Sequence, residues 1–200
     1  MADGMPVEAN LRIGVLALQG DADAHARALA DVGAHAVPCR LPSHLIELDG
    51  LIIPGGESSA LLMLMARDGM FEALQAFVAA KPVFGTCAGC ILLARRVRRP
   101  EQKSFGVLDV TVERNAYGRQ ADSVIVMAPT MLPGDPLETV YIRAPRIVDS
   151  GLGVEVLASR DGTPTLVRQG HILAATFHPE LSADRRVHCL FHDMVVQHVA

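Results

Sequence analysis

Lys81-Pro82-Val83-Phe84-Gly85-Thr86-Cys87-Ala88-Gly89-Cys90-Ile91-Leu92-Leu93-Ala94 is the stretch on which the reading of this chain turns. Val83-Phe84 is an apolar, β-type pair, Ile91 to Ala94 is helix-prone, and Gly85-Thr86-Cys87-Ala88-Gly89 joins them. A G-x-C-x-G at a strand-to-helix junction has the pattern of a nucleophile elbow with Cys in the nucleophile position. Glycine on either side lets the backbone turn sharply and lets a neighbouring chain pass close by. The sulfur would then project from the sheet edge at a helix N-terminus, where unpaired N–H groups and the helix dipole favour the thiolate. A buried, inert cysteine fits the same residues, since free Cys packs as a small hydrophobe. The paired glycines are what point to attack on an electrophile.

Upstream of the elbow, Ile13-Gly14-Val15-Leu16-Ala17-Leu18 is a continuous apolar run, the mark of a strand buried on both faces. Gln19-Gly20-Asp21 interrupts it, with Asp21 as N-cap of a helix over 22–32 and Gly33 closing that helix at C′. A strand over 35–39 completes a βαβ unit, so the sheet should be parallel with a right-handed crossover. Leu51-Ile52-Ile53 is the next buried strand, and it runs into Pro54-Gly55-Gly56-Glu57-Ser58-Ser59. Ser58 or Ser59 can cap the helix carrying Leu61, Leu62, Leu64 and Met65. The two glycines either offer backbone N–H groups to an anionic atom or form a plain tight turn. A second amphipathic helix (Phe71, Leu74, Phe77, Val78) leads back to the elbow, and Met63, Met65 and Met70 read as core filler.

Downstream, Arg95-Arg96-Val97-Arg98-Arg99 reads as cations complementing the negative pole of the helix that Ile91 starts. Beyond Pro100 the chain breaks into short β-rich runs at 105–113, 123–127, 139–142, 154–158, 166–169 and 172–176, punctuated by Gly, Pro and Asp. These predict a mainly antiparallel extension of the sheet on the same core, with a closing helix over 183–198.

Length and composition bound the function. The 200 residues suit one domain, and half of them are hydrophobic, as in a compact α/β protein. A net charge of -4 argues against a nucleic-acid partner held by charge. Four cysteines, with only Cys87 and Cys90 close in sequence, make no disulfide framework and point to a reducing, cytoplasmic setting. Residues 1–10 lack an apolar core, so they read as a loose leader rather than a signal peptide. No apolar run is long enough to span a bilayer.

His178-Pro179-Glu180 is the other informative stretch. If it continues the strand over 172–176, the side chains at i and i+2 share a face. His178 could then serve as base to Cys87, with Glu180 orienting the imidazole, which is the logic of a nucleophile–base–orienter triad. Two other arrangements compete. Cys87-Ala88-Gly89-Cys90 is a C-x-x-C at a helix start, the place of a thioredoxin-like redox pair. His188 and His192 stand at helical i, i+4 spacing, which could bind zinc, although no acidic residue lies between them.

Together, Pro54-Gly55-Gly56-Glu57-Ser58, Gly85-Thr86-Cys87-Ala88-Gly89 and Phe177-His178-Pro179-Glu180 resemble the motifs of class I (triad) glutamine amidotransferases. Leu18-Gln19-Gly20, Val112-Glu113-Arg114-Asn115-Ala116-Tyr117-Gly118-Arg119-Gln120 and Ile142-Arg143-Ala144-Pro145 narrow the resemblance to the glutaminase subunits of pyridoxal 5′-phosphate synthase, the PdxT family. Cys90 is a departure, since the family usually has an apolar residue there. The resemblance implies a single-domain, three-layer α/β fold over 11–200, with a central mostly parallel sheet, helices on both faces and an antiparallel extension. It implies hydrolysis of L-glutamine through Cys87, His178 and Glu180 by way of a thioester. Backbone N–H groups of Gly55 or Gly56 and of Ala88 would form the oxyanion hole. Gly56, Glu57, Ser58, Arg114, Ile142 and Arg143 match the glutamine-binding positions. No cofactor or metal is implied for this subunit. The implied partner is a PdxS-type synthase subunit, a (β/α)8 barrel that receives the ammonia. Gln19 would sense that partner, and the isolated subunit would be weakly active.

Overall fold

The computed structural model describes residues 11–114, 116 and 123–200. The leader expected at 1–10, and most of the family mark after Arg114, lie outside the described residues. The first half of the chain alternates strand and helix: Arg12–Leu16 (β1), Ala22–Asp31 (α1), His35–Cys39 (β2), Gly50–Ile53 (β3), Ser58–Met65 (α2), Met70–Ala80 (α3), Val83–Thr86 (β4) and Ala88–Leu93 (α4). The second half is β-rich: Ala94–Arg98 (β5), Leu108–Glu113 (β6), Val124–Ala128 (β7), Leu137–Tyr141 (β8), Arg146–Ser150 (β9), Glu155–Arg160 (β10), Thr163–Gln169 (β11) and Ile172–Ala175 (β12). A 3-10 turn at Pro179–Leu181 and the closing helix Arg186–Val199 (α5) complete it.

The central sheet has seven strands in the order β10-β11-β12-β4-β3-β1-β2. From β12 to β2 all neighbours pair in parallel, and β11 and β10 add an antiparallel edge. Parallel strands need both faces covered, and successive residues supply them. Leu51, Ile53 and Val83 face a core built with α2, α3, α4 and Phe105. Ile52, Phe84 and Leu173 face the opposite core, with Leu29 of α1 and Phe191 and Val195 of α5. Asp21 caps α1 as expected, its carboxylate accepting from Ala24 N–H at 2.9 Å. Among the described residues no helix is long and apolar enough to cross a membrane.

Four local expectations are corrected. The arginine run does not end a helix: α4 stops at Leu93, and Ala94–Arg98 is a strand in a separate three-stranded sheet with β6 and β9. Hence only β10 and β11 extend the central sheet, while β7 and β8 form a hairpin of their own. The cap of α2 is Glu57, whose carboxylate accepts from Ala60 N–H at 2.7 Å, and not Ser58 or Ser59. Met63 is 75% exposed, so only Met65 and Met70 fill the core.

Candidate active site

In an open parallel sheet, ligands bind beyond the carboxyl ends of the strands. Here β12, β4, β3 and β1 are consecutive neighbours, and their carboxyl ends lead to His178, Cys87, the Gly55-Gly56 loop and Gln19 respectively. The topology thus gathers four separate sequence motifs at one edge.

Cys87 follows β4 directly. Its backbone lies at φ 48 and ψ -101, a conformation that costs a non-glycine residue about 1–3 kcal/mol and that turns the sulfur out of the sheet. The turn is held by Cys87 N–H donating to the Ala175 carbonyl at 2.8 Å. Gly89 has to be glycine on steric grounds, because a Cβ there would collide with the Ile53 carbonyl oxygen. Ala88 opens α4, where backbone N–H groups lack intrahelical partners.

His178 and Glu180 meet by a different route from the one the sequence suggested. The strand ends at Ala175, and His178 caps the 3-10 turn that holds Glu180. Within that turn His178 Nδ1–H donates to Glu180 Oε1 at 2.7 Å, leaving the other ring nitrogen for the Cys87 sulfur, which lines the same pocket. Burial alone would lower the His178 pKa, but the bonds to Cys87 and Glu180 and the charge of both outweigh it and push it up to about 10. For Glu180 burial opposes ionisation, yet the hydrogen bond from His178 and the nearby His25 hold its carboxyl below the usual range. Gly55 runs alongside this pair, with an added Cβ falling 2.5 Å from His178 Cε1 and 3.3 Å from Cys87 Cβ.

A pocket of about 170 Å³ opens on the sulfur. Its walls are Gly56, Glu57, Ser58, Arg114, Ile142 and Arg143, together with Ile91 and Pro145, and with Cys87 and His178 at its base. Arg114 is nearly buried and donates from Nη2 to Glu57 Oε1 and to Ser59 Oγ, both at 3.0 Å. Burial of the Glu57 carboxyl would raise its pKa, but the N–H groups of Ala60 and Ser59, the Ser59 hydroxyl and Arg114 hold it low. Gln19 Oε1 accepts from Glu57 N–H at 3.3 Å and so ties the first loop to the second. An arrangement of thiol, imidazole and carboxylate beside backbone donors, under a pocket with both signs of charge, suits acyl transfer from a small zwitterion.

The model of the SNO glutamine amidotransferase family matches residues 15–197. The chain belongs to the SNO glutamine amidotransferase family. Within it, the pyridoxal 5′-phosphate synthase subunit PdxT of Koribacter versatilis is 60% identical over 185 residues, covering 92% of this chain and 96% of its own length. PdxT of Thermotoga neapolitana is 49% identical over 187 residues, 92% of this chain and all (100%) of its own. A crystal structure of a glutamine amidotransferase superposes with a TM-score of 0.85 at 43% identity, covering 92% of this chain and 98% of that one.

Seen as a SNO-family glutamine amidotransferase, the chain has two competing motifs left to place. Cys90 is fully buried, and its thiol is pushed up to about 12 by burial and by Cys87, so it is a poor redox partner. His188 is buried and turned toward His25, and among the described residues no cluster of His, Cys, Asp and Glu could hold a metal ion. Three polar side chains lie behind the triad: His25, which sequence reasoning missed, Thr86, which it met only as part of the elbow, and His188, which it weighed only as a zinc ligand. They are scattered over α1, β4 and α5, so no local pattern in the sequence groups them.

Proposed function

We propose that this chain is the glutaminase subunit of a pyridoxal 5′-phosphate synthase. It hydrolyses L-glutamine to L-glutamate and ammonia and delivers the ammonia to a PdxS-type synthase subunit. The observation that carries this reading is the convergence of Cys87 with the His178–Glu180 pair at a pocket walled by Gly56, Glu57, Ser58, Arg114, Ile142 and Arg143.

The Cys87 thiolate attacks the side-chain amide carbon of glutamine, and the carbonyl π electrons move to oxygen. Backbone N–H groups of Gly55 or Gly56 and of Ala88 hold that oxyanion, each donor lowering the barrier by ~3 kcal/mol. The His178 imidazolium gives its proton to the amide nitrogen, the C–N bond breaks, and ammonia leaves behind a thioester. Neutral His178 then takes a proton from water as the water attacks the thioester. Collapse of the second tetrahedral intermediate frees glutamate and regenerates the thiolate beside the imidazolium. Glu180 keeps the ring aimed throughout. Arg114 and Arg143 pair the substrate α-carboxylate, and Glu57 accepts from its α-ammonium.

In bulk water ammonia is protonated and ceases to be a nucleophile, so its product must enter the partner directly. Gln19 is placed to relay partner docking to the Gly55-Gly56 loop through the Glu57 N–H, and the free subunit is expected to be weakly active. Residues 11–200 act as one glutaminase domain, supported by a central sheet whose strands come from both halves of the chain. A cytoplasmic location is supported by four cysteines that are all free.

The test is glutamate release from glutamine by the purified chain, with and without a PdxS-type synthase subunit, beside Cys87→Ala. Release that rises with the synthase and vanishes in the variant is expected. Equal release by Cys87→Ala would overturn the assignment.

A further inference from the structure

Behind the triad, between the sheet and helices α1 and α5, lies a buried polar cluster that the mechanism above does not use. His25 of α1 and His188 of α5 are both fully buried. His25 Nδ1 is 3.1 Å from His188 Nε2. On the other side of its ring, His25 Nε2 is 3.2 Å from Thr86 Oγ1 and 3.4 Å from Glu180 Oε2. Glu180 Oε2 is buried with no hydrogen-bond partner among the described residues, and His25 Nε2 stands beside it. Thr86 immediately precedes the nucleophile, and Glu180 orients the base. One ring nitrogen therefore stands beside both the residue preceding the nucleophile and the carboxylate that orients the base, which lie far apart in the sequence.

We infer that His25 is a positioning residue for glutamine hydrolysis, donating from Nε2–H toward Thr86 Oγ1 and Glu180 Oε2, with His188 fixing that tautomer by donating its own Nε2–H to His25 Nδ1. This rests on the glutaminase reading and adds to it. The direction follows from which atoms are satisfied. A bare Nε2 lone pair facing an ionised carboxylate would repel it, so Nε2 carries the hydrogen. Nδ1 of His25 is then an acceptor, and His188 Nε2 must donate to it. That leaves His188 Nδ1 as a bare acceptor, which agrees with its having no partner. The reverse arrangement would bury an N–H there with nothing to donate to, and orphaned buried N–H groups are rare.

Both rings have to be neutral for this chain of donors. Burial depresses the pKa of His25, opposed by Glu180 and reinforced by His178, with Asp21 a lesser opposing charge. Burial also takes His188 down to about 3, reinforced by His25 and Arg185 and opposed by Glu180. The hydrophobic walls of the cluster are Phe84 and, beyond it, Phe191, whose rings keep water from competing for these nitrogens.

His25→Phe keeps the ring shape and removes the donor. In the complex with the synthase subunit it is expected to lower kcat for glutamate release by on the order of 10²-fold, the scale of a small misplacement of catalytic groups. KM for glutamine should stay within about twofold, because no His25 atom lines the pocket. The acid limb of the pH profile should move to higher pH, since Glu180 loses a donor to its charged form. His25→Gln, which can place an N–H near the Nε2 position, should recover much of kcat. A purely structural role would lower thermal stability in both variants and leave the pH profile in place. An unchanged kcat in His25→Phe overturns the inference while leaving the glutaminase reading intact, provided the unsubstituted complex hydrolyses glutamine and Cys87→Ala does not. Independently of any variant, long-range 1H–15N correlation on the unsubstituted protein should show both His25 and His188 as the neutral Nε2–H tautomer. A hydrogen found on Nδ1 of His25 overturns the inference even if the variants do not fold.

Discussion

Gly55 packs so close to the His178 ring that a methyl group on it would sit 2.5 Å from Cε1 and 3.1 Å from Nδ1. The ring cannot retreat without breaking its 2.7 Å bond to Glu180. Gly55→Ala should therefore lower glutamate release by on the order of 10²-fold through displacement of the base. The melting temperature should change little, because the contact is with a side chain at the edge of the sheet. Circular dichroism melting beside a steady-state assay checks both halves of this expectation.

The left-handed backbone of Cys87 gives a second prediction. Alanine and glycine at that position should both abolish hydrolysis, but only glycine adopts φ 48 without steric cost. Cys87→Gly should be more stable than Cys87→Ala by about 1–2 kcal/mol. Chemical denaturation of the two inactive variants measures that difference. Equal stabilities would mean that the elbow stores no strain.

The His178 pKa of about 10 carries a sign that can be tested. It lies above the ordinary value of about 6.5 expected in the unfolded chain. The folded state thus binds this proton more tightly, and the stabilisation is complete below about pH 6.5 and drains away as pH rises through 10. Unfolding free energies of the unsubstituted protein and His178→Gln should differ most near pH 6 and converge toward pH 10. Removing either partner, as in Cys87→Ala or Glu180→Gln, should bring the His178 titration seen by NMR down toward neutrality.

Arg114→Lys should raise KM for glutamine by at least tenfold with a smaller effect on kcat, since Nη2 alone holds Glu57 and Ser59 and a lysine, having one nitrogen, keeps no second one for the substrate carboxylate. Its effect on stability should be slight, because Glu57 is exposed. A fall in kcat with KM unchanged would remove Arg114 from substrate binding.

Cys90→Ala should leave hydrolysis within about twofold, even after exposure of the protein to mild oxidant, and cost about 1 kcal/mol or more of stability for the buried volume it loses. Loss of activity equal to that of Cys87→Ala would revive a redox role for the pair.

How much of this was legible in the sequence depends on whether the determinant was local. The strands at Arg12–Leu16, Gly50–Ile53 and Val83–Thr86 announced themselves as unbroken apolar runs because both their faces are buried. The Ala94–Arg98 strand did not. Its arginines face solvent while Ala94 and Val97 are buried, and following Leu92 and Leu93 they mimic a basic helix end. The strand Arg146–Ser150 was missed for the same reason, with only Ile147 buried. His178 and Glu180 were paired correctly by a strand argument that the structure replaces with a 3-10 turn, since both geometries can bring i and i+2 together. The cap of α2 passed to Glu57 because its carboxylate is fixed by Arg114, a residue far along the chain. His25 and His188 are 163 positions apart and meet through tertiary packing alone.

The two halves of the chemistry are carried by neighbouring strands, for β4 ends at Thr86 just before Cys87, β12 leads to His178, and Ala175 pairs with Thr86. The approach of sulfur to imidazole is therefore set by two strands spaced at ~4.8 Å together with the short 3-10 turn that carries His178. Loops over the pocket are free to diversify, or to flex when a synthase docks, without detuning the reaction. With both supports rooted in the sheet, the capacity to form the thioester should vanish in a single step with the sheet itself.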